Sequence, residues 1–517
     1  MSFDQEKSGD RLSVDEVPAL YDNQDVAANK RGTAEDQHDM YRLGKKPELR
    51  RNFRFISIVG FMMILQATWE SALLSNWYGL YNGGTAGCIW ATIGTWICNA
   101  VANRTTGGQY HWVSEFAPAS VQKPLSYIVG WMCCLGWVSG VPACGQMLYS
   151  LLEGMILITN PNANIEQLWQ ATLILFMWVL LIVAFNIFLA QQLPLAEGII
   201  LVIHVFGFFA FLILFWVMAD HASAHDVFLQ FYDGGEWGSN GLSTLVGLTT
   251  PLWCFIGPDA GAHMSEELND ASLVLPRAMM YATFFNGILG IIMLITFCFC
   301  ITDINVIVNS SSDTPVIDVL YNVTGSQGGT IVMGCLLLVL LYFSSVTTVA
   351  SASRQCWAFA RDKGFPFSSW IEFVRPGWDI PINAILVVLG VSLVLSAINF
   401  GSDVALNAIL SVSNAALIFS YLCSITCLRI KRLRGEPLLP RRWSLGWWGG
   451  PINDVAIGFL LISFVFSFFP IYPMPALVDM NWAILIFGVV FFVAGGHYLI
   501  RGRKVYVPPV SLIKKDS

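Results

Sequence analysis

Charged side chains are scarce in this sequence: Asp, Glu, Lys and Arg together make up 12% of its 517 residues. A soluble globular protein carries roughly a quarter of its residues as these four types. Hydrophobic residues make up 55% of the chain, and its mean hydropathy is +0.60. This composition excludes an ordinary soluble enzyme and predicts a protein embedded in a membrane.

Basic residues are absent from every second gap between the long apolar segments. All 28 Lys and Arg residues fall before the first segment or after the second, sixth, eighth, tenth and last, except Arg354, which lies at the inner end of the eighth. Loops rich in Lys and Arg remain in the cytoplasm. The alternation predicts a multi-pass protein with both termini in the cytoplasm. We expect the plasma membrane, with the vacuole or another internal membrane as the alternative.

Several chemical signatures are missing as well. There is no glycine-rich phosphate-binding loop of the ATPase type, which argues against a primary pump. No spacing of Cys and His suggests a zinc site, and no combination of residues suggests an enzyme active site. We therefore expect no metal, no cofactor, no enzymatic activity and no nucleic-acid partner. All twelve cysteines lie within or at the ends of apolar segments, where they are small packing residues.

Twelve apolar segments, called runs 1 to 12 here, have about the length that a helix needs to cross a bilayer, roughly 20 residues. They predict an all-α transmembrane domain over residues 55–501. The runs lie at 55–78, 84–103, 125–155, 168–190, 194–218, 244–265, 278–301, 329–356, 381–399, 405–428, 452–472 and 481–500.

The segments outside the runs differ in charge. Residues 1–40 contain ten acidic and four basic residues and no apolar core, which predicts a disordered cytoplasmic tail. Residues 41–54 are basic and form a juxtamembrane segment that can contact anionic lipid, or that acts only as a topology signal. Residues 502–517 are expected to form a cytoplasmic C-terminal tail.

Runs 1 and 6 depart from a uniformly apolar helix. Run 1 carries four polar residues between Gln66 and Ser71, at mid-membrane depth. Run 6 contains Gly257-Pro258-Asp259, in which the proline cannot donate a backbone hydrogen bond. The two runs are five apart, which indicates an inverted repeat of runs 1–5 and 6–10 with broken helices at its centre. A simple proline kink in run 6 is the alternative.

Short motifs surround these interruptions. In their order and placement, the chain from about residue 40 to 505 resembles the fungal amino acid/choline transporter branch of the amino acid–polyamine–organocation superfamily, which includes the GABA and choline permeases. The resemblance implies the leucine-transporter fold and secondary transport. The motifs are Thr68-Trp-Glu-Ser, Asn82-Gly-Gly-Thr-Ala-Gly, Thr106-Gly-Gly-Gln-Tyr-His-Trp-Val, His263-Met-Ser-Glu-Glu-Leu, Leu275-Pro-Arg-Ala-Met and Trp357-Ala-Phe-Ala-Arg-Asp-Lys-Gly.

The resemblance places the substrate between the interrupted parts of runs 1 and 6, where backbone groups bind it. The rings of Trp69, Trp253 and Phe255 are candidates to cover a cationic group, with packing as the alternative. The implied substrate-binding residues are Gln66, Ala67, Thr68, Trp69, Glu70, Ser71, Phe255, Ile256, Gly257, Asp259, Ala260 and Gly261.

Four ionisable residues within the runs are candidates to carry a coupling proton: Glu70, Asp259, His204 and Glu197. An ionisable group inside a membrane usually has a functional role. Some proton-coupled relatives keep a lysine in helix five. Run 5 has none, so His204 or Glu197 would substitute for it. The alternatives are a helix cap for Asp259 and hydrogen-bonded packing for His204.

Charged residues near the inner ends of runs 6 to 8 can form a salt-bridge gate. The candidates are Glu266, Glu267, Arg277, Arg354 and Arg361, with solvated loop charge as the alternative.

Taken together, these features predict a secondary active permease of a small amine-containing solute, such as an amino acid, GABA or choline, coupled to protons. A transporter of an amine-bearing secondary metabolite is one alternative. A nutrient sensor on a transporter scaffold is another, although the short predicted tails disfavour it. The sequence contains no signal for an oligomeric state.

The alternation of basic residues makes a topology prediction. A reporter fused after Ser517 should remain cytoplasmic, and tags near Asp233 and Asn309 should be labelled from outside intact cells. Two outward acceptor motifs, at Asn309 and Asn322, should carry N-glycans, so deglycosylation should increase electrophoretic mobility unless both are replaced. A protected Asp233 tag together with an exposed C-terminus would contradict the arrangement.

Overall fold

The computed structural model describes residues 27–103, 109–165, 167–309, 315–401, 405–438, 448–477 and 479–512. Within these residues β pairing is limited to two isolated bridges, and the rest of the regular structure is helical. Ten helices in this part of the chain are long and apolar enough to cross a membrane. The predicted all-α, multi-pass architecture is confirmed.

Helices occupy all twelve runs, and only runs 1 and 6 are interrupted. Shorter helices lie in the loops, among them Gln109–Phe116 after run 2 and Pro315–Thr324 before run 8. The continuous runs are Gly84–Asn103 (2), Gln122–Thr159 (3), Leu168–Phe188 (4), Leu193–Met218 (5), Ala271–Phe299 (7), Gln327–Arg361 (8), Ile382–Ser396 (9), Ala405–Leu433 (10), Gly449–Phe466 (11) and Ala483–His497 (12).

Burial shows which runs form the centre of the bundle. Of the most apolar 18-residue window in each run, 83% is buried in runs 1, 3 and 10, but only 28% in run 11 and 17% in run 12. Run 3 packs against runs 8 and 10 along much of its length. Runs 11 and 12 are therefore peripheral, and any site inside the protein is built from the first ten runs.

Run 1 is broken at Ala67, between helices Phe55–Gln66 and Thr68–Leu74. Ala67 has a left-handed backbone with φ of 38°, a conformation that is unfavourable by about 1–2 kcal/mol for a residue with a Cβ. It is held there because it is buried and because both its backbone groups remain bonded, to Met63 and to Ser71.

Run 6 is broken between helices Thr249–Phe255 and Ala260–His263. Gly257 adopts φ of 93°, which glycine tolerates because it has no Cβ. Pro258 follows and cannot supply the N–H that would continue the helix. The predicted pair of breaks is confirmed. The breaks touch each other, since Thr68 Oγ1 donates to the carbonyl of Cys254 at 3.2 Å.

The prediction of a disordered tail over residues 1–40 is wrong for its last part. A helix covers Ala34–Arg42 and begins with reciprocal hydrogen bonds between Thr33 and Asp36. The acidic composition that predicted disorder includes residues with fixed structural roles. Residues 1–26 lie outside the described part of the chain.

Asp36 ties this helix to the rest of the protein. Its buried carboxylate accepts hydrogen bonds from the backbone N–H groups of Asp270 at 2.9 Å and Ala271 at 3.1 Å, where run 7 begins. It also forms an ion pair with Arg51 at 3.2 Å. A carboxylate is favourable at this position because the N-terminus of a long helix carries partial positive charge.

The N-terminal and C-terminal segments meet at Asp362, which follows run 8. Lys45 Nζ lies 2.5 Å from Asp362 Oδ1, and the Val507 N–H donates to the Asp362 carbonyl at 3.1 Å. Burial lowers the pKa of Lys45 from its ordinary value, although the neighbouring carboxylate opposes that shift. Both ends of the described chain therefore lie on one face, which is called the basic face below.

Candidate functional site

A small cavity lies where the two breaks meet. Its volume is about 40 Å³, enough for roughly three water molecules, so a larger solute requires its walls to separate. None of the described residues that line it is charged. Five runs contribute to the wall: Leu65, Gln66 and Ser71 from run 1, Gly136, Trp137, Gly140 and Cys144 from run 3, Trp253, Ile256 and Gly257 from run 6, Leu341, Ser344 and Thr348 from run 8, and Ser413 and Leu417 from run 10.

The predicted substrate-binding residues divide into two groups. Gln66, Ser71, Ile256 and Gly257 line the cavity. The others turn away from it, because a helix resumes directly after each break and rotates successive side chains around its axis. Those that do not line it are Ala67, Thr68, Trp69, Glu70, Phe255, Asp259, Ala260 and Gly261.

The aromatic residues predicted to cover a cationic group also differ in whether they line the cavity. Trp69 is fully buried and packs its ring against Phe208 and Phe211 of run 5, with centroids 6.2 and 5.4 Å apart. Trp253 does line the cavity, together with Trp137 of run 3, which the sequence did not single out. Among the described residues, the aromatic rings on the cavity wall are therefore those of Trp137 and Trp253.

Glu70 forms a buried pair with His204 of run 5. His204 Nδ1 lies 2.6 Å from Glu70 Oε1, and each side chain is 1% exposed. Among the described residues, Glu70 Oε2 and His204 Nε2 have no hydrogen-bond partner. Two of the four predicted coupling residues are thus in direct contact. Each keeps one atom without a hydrogen-bond partner in the described chain, which is called an open atom below.

Glu197 lies two helical turns before His204 on the same face of run 5. Its Oε1 atom is 3.1 Å from the Thr347 hydroxyl of run 8, while Oε2 has no partner in the described chain. Glu197 is fully buried and does not line the cavity.

Asp259 has a different environment, because four side chains donate hydrogen bonds to its carboxylate. Trp137 Nε1 lies 3.2 Å from Oδ2 and His263 Nε2 lies 3.0 Å from it, and Gln109 also donates to Oδ2. Tyr421 donates to Oδ1. The interpretation of Asp259 as a side-chain cap for the helix that follows is wrong, since it makes no such bond.

This network contains residues whose role the sequence did not reveal. Gln109 and His263 stand in recognised motifs, and a polar residue within a motif is a usable signal. Tyr421, in run 10, has no comparable signal. Cys133, Asp259 and His263 place possible metal ligands within 4.8 Å of one another. In this structure the Asp259 carboxylate accepts three hydrogen bonds at Oδ2 and one at Oδ1.

The predicted gate residues meet on the basic face, with one exception. Glu266 Oε2 lies 3.0 Å from Arg361 Nη1, and Glu267 Oε1 lies 2.8 Å from Arg354 Nε. Both pairs connect the end of run 6 to the end of run 8. Arg277 is exposed and forms no ion pair with the described residues.

Both glycosylation candidates are exposed in the structure. Asn309 follows the helix Ile304–Val308, and Asn322 lies within Pro315–Thr324. Residues 310–314, which include the rest of the Asn309 motif, lie outside the described residues.

A multi-pass protein whose two broken helices enclose a closed cavity is built as a carrier. A family model described as amino acid permease matches residues 55–492. This chain belongs to the amino acid permease family and is a secondary transporter, and the resemblance seen in its motifs is confirmed.

Fungal relatives match over most of their length. The choline transporter of Saccharomyces cerevisiae is 26% identical over 435 residues, which cover 82% of this chain and 76% of the relative. Amino-acid permease 2 of Neurospora crassa is 24% identical, with coverage of 91% and 88%. An uncharacterized amino-acid permease of Schizosaccharomyces pombe is 27% identical, with coverage of 93% and 90%.

The Gly257 geometry gives a prediction about the break in run 6. A Cβ at this position would lie 3.2 Å from both Leu65 Cδ2 and Trp137 Cη2, and the left-handed backbone adds strain. Gly257→Ala should lower the transport rate about tenfold, equivalent to about 1.4 kcal/mol. Gly458→Ala is the matched control, since no atom lies within 4 Å of its added Cβ. Equal uptake by both variants at equal surface expression would argue against a site at this break.

Proposed function

We propose that this permease carries a small amine-containing solute, an amino acid, GABA or choline, in symport with a proton. The main support is the uncharged cavity between the two breaks, with the rings of Trp137 and Trp253 on its wall. A ring face attracts an ammonium group, whereas a net anion would meet no counter-charge there. Relatives named as a choline transporter and an amino-acid permease support the same solute class.

We assign the coupling proton to the Glu70–His204 pair. Both partners have an open atom, so the pair can gain or lose a proton without first breaking another hydrogen bond. Asp259 has no open oxygen, and its four donors stabilise the ionised carboxylate. Glu197, with its own open oxygen on the same face of run 5, is the next acceptor available to a proton that leaves His204.

Asp259 then has a positioning role. It holds the indole of Trp137, one face of the cavity, and connects it to Tyr421 of run 10 and to Gln109. In this arrangement the Trp137 side chain lies between the cavity and the basic face. Substrate binding at the indole and movement of the run 6 break are therefore mechanically connected.

We propose that the basic face is cytoplasmic, that the membrane is the plasma membrane, and that the ion pairs at this face close the inward path. Removing one partner of a buried ion pair destabilises a protein by about 3–5 kcal/mol, because the other charge is left uncompensated. The Glu266–Arg361 and Glu267–Arg354 pairs must separate into water when runs 6 and 8 move apart. The gate is thus stable when closed and hydrated when open.

Replacing Glu70 should uncouple transport from protons. In proteoliposomes, a gradient of one pH unit supports an accumulation of about tenfold by a 1:1 symporter. Glu70→Gln should abolish this accumulation while exchange of internal for external substrate continues, because exchange needs no net proton movement. Asp259→Asn should lower both rates but keep the dependence on the gradient. If Asp259→Asn instead removes that dependence and Glu70→Gln retains it, the assignment is reversed.

The gate makes a separate prediction through charge reversal. Glu267→Arg and Arg354→Glu should each reduce uptake strongly, since each places two like charges together. The double variant restores an opposite pair, and it should recover at least about a tenth of the parental rate, because coupling between contacting charges exceeds 1 kcal/mol. Purely additive losses in the double variant, at matched surface expression, would show that the pair does not act as a unit.

A further inference from the structure

One end of the cavity is closed by four residues from four runs: Gly140, Trp253, Thr348 and Ser413. This set is called the glycine end. A Cβ added to Gly140 would lie 3.5 Å from Thr348 Cγ2, 3.7 Å from Ser413 Oγ and 3.9 Å from Trp253 Cη2. These are ordinary contact distances. The space is therefore about the size of a single methyl or ammonium group, and it exists because run 3 has no side chain at this position.

Three of the hydroxyl groups on the cavity wall already donate their hydrogen within 2.9 Å, and of these Ser413 and Thr348 belong to the glycine end. Ser413 Oγ donates to the Gly136 carbonyl at 2.8 Å and Thr348 Oγ1 to the Ser344 carbonyl at 2.9 Å. Ser344 Oγ donates to the Leu65 carbonyl at 2.8 Å. A hydroxyl has one hydrogen and two lone pairs, so each of these oxygens can only accept a further hydrogen bond.

Thr348 faces the glycine end with its methyl group, so the acceptor nearest to this space is Ser413 Oγ, beside the ring of Trp253. A carboxylate brought there would place its lone pairs against those of the Ser413 oxygen. A methyl group would form no hydrogen bond with it. A primary ammonium group fits the space, can donate to Ser413 Oγ in a charge-assisted hydrogen bond worth about 1.5–3 kcal/mol, and is attracted by the ring of Trp253.

We propose that the glycine end binds the ammonium group of the substrate, and that Gly140 restricts this group to an unsubstituted ammonium. The favoured solute is then one with a terminal primary amine, such as an ω-amino acid, in preference to a quaternary ammonium compound. This proposal rests on the proposed transport of amine-containing solutes and specifies which amine the site accepts.

The test compares three probes that differ only at one end: 4-aminobutanoate, pentanoate and 4-(trimethylammonio)butanoate. Competition and direct uptake are measured with the full-length protein in proteoliposomes. 4-Aminobutanoate should bind at least about tenfold more tightly than either of the others, because the charge-assisted hydrogen bond to Ser413 Oγ, absent for pentanoate, and the overfilled space for the trimethylated probe each exceed about 1.4 kcal/mol.

Two variants connect the preference to the proposed residues. Ser413→Ala should reduce the preference for 4-aminobutanoate over pentanoate by about fivefold, since one acceptor is lost. Gly140→Ala should weaken 4-aminobutanoate binding by about tenfold, because its methyl occupies the space of the ammonium group. Gly390→Ala, with no atom within 4 Å of the added Cβ, is the control and should match the parent.

The outcomes separate this inference from the proposed function. Uptake of 4-aminobutanoate with no preference over pentanoate, or with normal affinity in Gly140→Ala, would overturn the glycine-end assignment and leave amine transport intact. A clear preference for the trimethylated probe would also overturn it. If no amine probe is bound or transported, both proposals fail.

Discussion

A helix that breaks inside a bilayer leaves backbone N–H and C=O groups that lipid cannot satisfy. Runs 1 and 6 break at the same place, and each break supplies partners for the other, as between Thr68 and the carbonyl of Cys254. Ser344 of run 8 donates to the carbonyl of Leu65, and Asn286 of run 7 donates to that of Met63, which also accepts from the Ala67 N–H, so neighbouring runs add hydrogen bonds to the backbone at the break. The cavity is the small volume that these partners leave open.

Two buried carboxylates each contact an imidazole, yet their surroundings give them different chemistry. Glu70 meets His204 in the half of run 1 that follows the break, and both have an atom without a hydrogen-bond partner in the described chain. Asp259 meets His263 on the opposite side of the break, where three further donors surround it. The Asp259 carboxylate is held by four donors, whereas Glu70 Oε2 and His204 Nε2 have no hydrogen-bond partner among the described residues. Residue type alone does not distinguish these two roles.

Periodicity and composition were sufficient for the fold. Long apolar segments, the sorting of basic residues, and Gly257-Pro258 predicted twelve runs and the location of the break in run 6, since each is a local property of the chain. The environment of Asp259 could not be predicted, because Gln109, Trp137 and Tyr421 come from three distant segments. The tail helix was missed for another reason: the mean charge over residues 1–40 conceals the buried carboxylate of Asp36.

The N-terminal segment contacts the ends of both run 6 and run 8. The backbone N–H groups of Glu48 and Leu49 donate to Glu266, at the end of run 6, while Lys45 pairs with Asp362 after run 8. A movement that separates runs 6 and 8 must therefore also displace residues 45–49 from one side or the other. These contacts are charge-assisted, so they stabilise the arrangement in which the two ends lie together. Residues 45–49 are not among those that line the cavity, so the segment holds the ends of runs 6 and 8 together without contributing to the cavity wall.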